Sequence, residues 1–574
     1  MTSADISVRP APRVDVFSPL VNPWVWLLLA IVVLVSNAAW LSNWIVDDAG
    51  ISLAYARNVA AGHGLVHQPG GTPVEGFSNP SWTLLLSALY RLGFPVLPWT
   101  IKTLALALNI TTLWLLFRDL KTSVRGAWLA VPLVLVASAS PFVIWTVSGL
   151  ENALLATLVV LACTLTLRGL EASSILNDFA VGLVAGLLAI TRPDAVLYAA
   201  LHVPLTTAFT RRDAMAPRLF RSALVTGLGV ALVAGTYFIF RWHYYHDWVP
   251  NTFHAKSHHS GGTFLDAEKH INLWRSVFGD AFVVAVPFLG LGLWAAFRGK
   301  RQLGRLVTIA AYLAVAVVSY VVLPYDWMGE FRFATAVFPL AFWLLAASAV
   351  VVVREWSSSR RILAVAGAVA TAAALLVFMA RTVLFARQPT FPLSQVQAYS
   401  AEGFNVVAEG MADASLLTPD LGGVLLESHL TVVDLAGLCD RTIAKSLGQD
   451  TAALHEYIFG ERKPTFIRTH GPSLRITRLY DDPRFARDYV PLYEAFARDS
   501  QGWIRLWADA PAVPPWRGDY VRRDALRHVS LDTLKQRYVA TGMDRWEPTA
   551  HRDVHLRRPL ATVWAFGVIA GYTR

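Results

Sequence analysis

Two adjacent carboxylates, Asp47 and Asp48, stand where an uncharged apolar run over residues 24–46 ends. A carboxylate at such a boundary can take the proton of an incoming hydroxyl. Two side by side repel, which raises at least one of them toward the range a general base needs. The plainer alternative is an N-cap with a helix-dipole partner; it accounts for one aspartate better than for two, and the residues alone leave both open. Three cations in other loops, Arg192, Lys256 and Arg332, include two that lie beside acids, Asp194 and Glu330. Arginine meets phosphate bidentately and lysine as a point charge, so the set suits a phosphate leaving group. Singly, each reads as an interfacial salt bridge or a snorkelling side chain. Glu75, Glu151, Asp194, Asn251, Asp326 and Glu330 are the remaining candidate substrate-binding groups of these loops. Glu75 and Glu151 suit sugar hydroxyls or a cation, and each alone also reads as a solvated loop acid.

Other chemistries find less. His243, His246, His254, His258 and His259 crowd one stretch without a zinc spacing. No cofactor is called for, and a divalent metal stays an open option. The aromatic residues Trp242, Tyr244, Tyr245 and Trp248 there suit a membrane belt. Asn109-Ile-Thr has the form of a glycosylation sequon but lies in an apolar run. There is no nucleophile elbow and no P-loop. Near the end of the chain, Trp503, Trp507 and Trp516 can stack on sugar rings or fill a core. Asp420, Asp434 and Asp440 frame a strand-like run with no chemistry attached.

The elements that must hold these residues follow from composition. Of 574 residues, 55% are hydrophobic and 16% charged, with mean hydropathy +0.45. That excludes disorder, collagen and a purely soluble enzyme. Two cysteines, Cys163 and Cys439, imply no disulfide framework. Apolar blocks read as spans lie at roughly 24–46, 98–117, 126–147, 152–170, 178–191, 194–210, 219–241, 277–297, 304–324, 333–353 and 361–384, of which 178–191 and 194–210 are short for a crossing. The first is too long for a signal peptide and reads as an uncleaved anchor. Pro80–Gly93, short and interrupted by Arg91, reads as a juxtamembrane or re-entrant helix. The formal charge of +10 is concentrated in alternate connections, from Arg118 and Lys121 to Arg360 and Arg361, as the positive-inside rule requires. The balance is therefore explained by a bilayer, not by nucleic acid. The unusual polar sequences all fall in the opposite, outer connections.

The expected architecture is an integral membrane α-helical bundle of about eleven spans with a C-terminal extracytoplasmic α/β domain. Residues 1–23 form a cytoplasmic tail, 24–385 the membrane domain with its first outer loop at 47–97, and 386–574 the outer domain. Within the last, Ser415–Thr418, Leu430–Leu435 and Phe466–Thr469 read as strands and Asp450–Phe459 as helix-like. The apolar tail Leu560–Tyr572 is too short to span.

These motifs resemble the GT-C superfamily of polyprenyl-phosphate-sugar glycosyltransferases. Asp47-Asp-Ala-Gly-Ile-Ser-Leu-Ala-Tyr-Ala-Arg-Asn, Gly62-His-Gly-Leu-Val, Pro73-Val-Glu-Gly-Phe-Ser-Asn-Pro-Ser-Trp, Ser148-Gly-Leu-Glu and Asp326-Trp-Met with Phe331-Arg-Phe resemble, more specifically, the arabinofuranosyltransferase AftB family. The likeness is strongest over the first outer loop. It implies a decaprenyl-phosphate-arabinofuranose donor, a cell-wall arabinan acceptor, a plasma-membrane location and Asp47 and Asp48 as catalytic acids. Related sequences act on other acceptors, so another sugar or a protein acceptor is the near alternative. A lipid-linked sugar transporter or flippase and a sugar-binding assembly protein are the distant ones. A transporter would place ionisable or broken-helix sites near the midplane in repeated halves, and neither is evident.

Overall fold

In a computed structural model, the described residues are 22–41, 44–94, 98–124, 126–210, 212–256, 266–279, 300–324, 326, 328–355, 360–495 and 517–546, with a few positions between 285 and 294. Six helices are long and apolar enough to cross a membrane: Pro98–Leu120, Asn152–Glu171, Met215–Tyr245, Gln302–Val322, Arg332–Val353 and Ala364–Arg387. A seventh candidate is the pair Gly126–Ser138 and Ser140–Thr146, bent by 56°. Pro141 causes the bend, because it has no N–H for the carbonyl of Ala137. The Asn37 side chain donates to that carbonyl instead, at 3.4 Å. Two further apolar helices, Trp24–Trp40 and Ile175–Thr191, have 17 residues each. The chain is a multi-pass membrane protein.

The block expected as one span at 194–210 is broken. It forms a 3-10 helix, Pro193–Ala200, and a short helix, His202–Ala208. The block expected at 219–241 is longer, Met215–Tyr245, with a π turn at Ala231–Gly235. Pro80–Arg91 is a helix of twelve residues, too short to cross. Most of the block at 277–297 lies outside the described residues.

Buried tryptophans tie loops to helices, since an indole N–H in a core needs an acceptor. Trp82 donates to the carbonyl of Gly149 at 3.0 Å and Trp145 to that of Glu330 at 2.7 Å. The segment after Trp44 is sewn to residues 391–393. The Asp47 N–H donates to the Phe391 carbonyl at 3.1 Å, and that of Leu393 to Ile45 at 2.8 Å.

Beyond these helices lies a five-stranded sheet in the order β2-β1-β3-β5-β4. Its strands are β1 (Ser415–Thr418), β2 (Thr431–Asp434), β3 (Phe466–His470), β4 (Tyr489–Ala495) and β5 (Arg517–Arg522). β1 runs parallel to β2 and β3, while β3–β5 and β5–β4 are antiparallel. Parallel neighbours need a crossover, and helix Gly422–Glu427 supplies the one between β1 and β2. The first three strands match the sequence reading; β4 and β5 were not foreseen. Their core is charged. Arg468 on β3 donates to Asp519 on β5 at 2.8 and 3.2 Å, and Arg517 donates to the same carboxylate at 2.7 Å. The Arg468 guanidinium lies 4.9 Å from the Phe404 ring and 4.8 Å from that of Trp546.

Candidate functional site

Asp47 and Asp48 leave the same turn in different directions. Asp47 is 4% exposed. Its two oxygens accept the backbone N–H groups of Gly422 at 3.0 Å and Gly423 at 2.7 Å. It thus caps a helix near the sheet, not the helix Ala49–Ala60 that follows it. Burial and the Asp420 carboxylate push Asp47 well above the usual carboxylate range, against the pull of the two amides.

Asp48 begins helix Ala49–Ala60 but its side chain caps nothing. Among the described residues that carboxylate has no hydrogen-bond or ion-pair partner, and the residue is half-buried. Burial raises its pKa; Lys256 and Arg332 oppose this, and Asp326 and Glu151 add to it. Those four charges are its surroundings.

They come from three loops. Glu151 precedes helix Asn152–Glu171 and accepts from the Asn79 amide at 2.8 Å and from Arg192 at 3.2 Å, with Arg332 at 3.9 Å. Burial pushes Glu151 up, and Arg332 and Arg192 outweigh it, so the carboxyl is held below its ordinary range. Arg192 also meets Asp194 at 2.9 Å, and Arg332 meets Asp326 at 3.0 Å. Arg192 and Arg332 are 6% and 7% exposed. The loop bearing Arg332 is left-handed at Gly329, with φ of 66°, which glycine adopts freely, and at Glu330 and Phe331, with φ of 44° and 54°, which non-glycine residues adopt mostly where structure elsewhere imposes them.

Of the three expected phosphate cations, then, two already answer carboxylates. Lys256, exposed at the end of helix Asn251–Lys256, has no ion-pair partner among the described residues. Glu330 gives its carbonyl to Trp145, and its Oε2 is buried without a partner among the described residues.

Glu75 and Asn251 lie elsewhere. Glu75 accepts from Arg241 at 2.6 and 3.0 Å and from the Tyr237 hydroxyl at 2.7 Å. The Asn251 amide donates to the carbonyls of Gly437 and Leu438 at 2.8 and 2.9 Å. Both fasten the loops to one another. Asp440 caps helix Arg441–Ser446, Asp434 accepts from Ala436 and Cys439, and Asp420 from His470 at 2.8 Å. Trp503, Trp507, Trp516, His258, His259 and the tail at 560–572 lie outside the described residues.

Sequence reading missed Asn79. It bridges the Ser52 and Thr83 hydroxyls, at 3.0 and 3.1 Å, to Glu151. Its signal was its place in Phe77-Ser-Asn-Pro. It also missed Arg241, a buried charge near the end of the apolar helix Met215–Tyr245, a setting that usually marks a partner. Among the described residues no three His, Cys, Asp or Glu side chains are grouped to hold a metal ion. The acids Glu151, Asp194 and Asp326 face arginines instead.

No family model matches the chain. It is similar to the terminal beta-(1->2)-arabinofuranosyltransferase of Mycobacterium tuberculosis, 29% identical over 252 residues. That match spans 41% of this chain and 39% of the relative's length. In three dimensions the chain is similar to ArnT from Cupriavidus metallidurans, solved with undecaprenyl phosphate bound. The TM-score is 0.54 at 13% identity, over 88% of this chain and 98% of that one, which is a likeness of fold. An oligosaccharyltransferase of Archaeoglobus fulgidus gives a TM-score of 0.49 at 10% identity, over 78% of this chain and 69% of that one. The resemblance to GT-C glycosyltransferases carried by the loop motifs holds.

Proposed function

We propose that the chain is a membrane glycosyltransferase of the GT-C type. It moves arabinofuranose from a polyprenyl monophosphate to a cell-envelope glycan at the outer face of the plasma membrane. The observation that carries this reading is Asp48, a carboxylate without a bond among the described residues, in the field of Lys256 and of a buried arginine–carboxylate cluster at one end of an apolar bundle. The M. tuberculosis relative supports the sugar, and the fold shared with ArnT supports a prenyl phosphate. The full arrangement is about eleven crossings, the broken segment 193–208 counted as one, with the N-terminus inside and residues 386–574 outside.

In this mechanism the acceptor hydroxyl oxygen bonds the anomeric carbon as the bond from that carbon to the phosphate oxygen breaks. Asp48 takes the hydroxyl proton, in the manner of a general base. The charge left on the prenyl phosphate falls to Lys256, with Arg332, whose Nε has no partner among the described residues, behind it. Arg192 and Glu151 hold Arg332 in place. The prenyl chain suits an apolar groove lined by Ala189, Val196, Ala200, Ala231, Gly235 and Phe238.

One observation favours a transporter. Asp178 and His202 are hydrogen-bonded at 3.0 Å inside the bundle, and His202 continues to Thr166 and Tyr312. This chain is internally satisfied and lies toward the end away from Asp48. Radiolabel from decaprenyl-phosphate-arabinofuranose should pass to an arabinan acceptor with the purified chain in detergent. Lipid-sugar movement across vesicles without transfer would favour the transporter, and absence of transfer from every polyprenyl-phosphate sugar would remove the enzyme.

A further inference from the structure

Helix Ala49–Ala60 holds helix Gly422–Glu427 at both ends. At one end the Asp47 oxygens accept the Gly422 and Gly423 N–H groups. At the other, the Arg57 guanidinium donates to the carbonyls of Leu425 at 2.9 Å and Leu426 at 2.7 Å. These are the last carbonyls of that short helix, which have no partner within it. Between the two ends the backbones touch. A Cβ on Gly50 would lie 2.5 Å from the Gly422 carbonyl, and one on Gly422 would lie 1.7 Å from the Asp47 carbonyl oxygen. Asp48 sits inside this grip, since Asp47 is also fixed through its N–H to Phe391.

We infer that Asp47 and Arg57 are positioning residues, through which the sheet-bearing region sets the direction of the Asp48 carboxylate. The inference rests on the reading of Asp48 as the base. It gives the two aspartates separate tasks. Asp47 has both oxygens occupied by amides and is shielded from any acceptor, whereas the Asp48 carboxylate is half-buried, has no bond among the described residues and feels the charge of Lys256. It also makes the crossover helix between β1 and β2 part of the site without contact to substrate. A misplacement of about 1 Å at a reacting group can reduce rate by about 10²-fold.

Arg57 is the residue to change, because it is remote from the reacting atoms. In the full-length protein, Arg57→Ala should speed amide exchange over 422–427. It should lower kcat with decaprenyl-phosphate-arabinofuranose by about 10²-fold while leaving the donor KM near the parent value. Arg57→Lys, which keeps a donor over the same carbonyls, should recover part of kcat. It also serves if the alanine variant fails to accumulate. Faster exchange with an unchanged kcat per folded molecule, in either variant, overturns the inference and leaves Asp48 as the base. Unchanged exchange over 422–427 overturns the clamp itself. An Asp48→Asn variant as active as the parent overturns the base assignment, and this inference with it.

Discussion

At the scale of the residue, what separates Asp47 from Asp48 is a supply of donors. A buried carboxylate with two backbone amides directed at it is a finished structure, while one with only charges at a distance is available. Asp48→Asn should keep size and polarity but not basicity. Transfer should fall by about the 10²–10⁴-fold that general-base catalysis supplies, with unchanged membrane abundance. Asp47→Asn can still accept one of the two amides. It should lose less activity and show lower thermal stability, by about 1–3 kcal/mol for the donor left unmet. Equal and full activity of both variants would remove the pair from the mechanism. Lys256→Ala should raise the donor KM more than the acceptor KM, because a charged hydrogen bond is worth about 1.5–3 kcal/mol; a donor KM at the parent value would detach Lys256 from the phosphate. The pair was legible in sequence as two acids at the end of an apolar run. Which of them is open was not, since the amides that bind Asp47 belong to Gly422 and Gly423, remote in the chain.

At the scale of the element, the loop after Ala60 shows how burial writes a pH dependence. His67 is buried, and desolvation lowers its pKa from 6.5 to about 4. Between those values the unfolded chain holds a proton that the folded chain does not. Stability therefore rises with pH through that window, is complete above it, and is lost as pH falls toward 4. The full effect is about 3 kcal/mol, at about 1.36 kcal/mol for each pH unit. His67→Asn should flatten the dependence of the thermal midpoint between pH 4 and 6.5; an unchanged slope would place its origin elsewhere. Glu75 offers a second test. Replaced by Gln, it leaves Arg241 buried and uncompensated, a loss of about 3–5 kcal/mol for a broken buried pair. The midpoint should drop while the donor KM of the folded fraction holds; the reverse pattern would return Glu75 to the substrate. Elements were legible where one physical force dominated. The apolar strands β1, β2 and β3 and most long helices followed from hydropathy. Strand β5, Arg517-Gly-Asp-Tyr-Val-Arg, was not, because its buried Arg517 and Asp519 read as surface until Arg468 is seen across the register. The block at 194–210 failed for a local reason, since Pro193 starts a 3-10 segment that hydropathy does not register.

At the scale of the whole molecule, charge divides the bundle into two ends. Asp48, Glu151, Arg192, Arg332 and the sheet lie toward one. At the other, Arg305 is bonded to Asp119, which also accepts from Trp343 at 2.7 Å. The sheet is fastened to the first end by Arg57, by Gln68 donating to Val432 at 3.1 Å, and by Arg441 donating to the Tyr245 carbonyl at 2.7 Å. Orientation therefore moves the site and the sheet together. In the proposed reaction, lipid-linked sugar and glycan meet at the outer surface only if that end faces outward, and basic connections are retained inside. Both native cysteines, Cys163 and Cys439, are buried, which gives a low background for thiol labelling. In intact cells an impermeant maleimide should label His63→Cys and Gln449→Cys, both at exposed positions near the site end. It should reach Lys121→Cys, exposed at the opposite end, only after permeabilisation. Labelling of Lys121→Cys in intact cells, with Gln449→Cys protected, would turn the molecule over and place Asp48 on the side where the outer-face acceptor does not reach it.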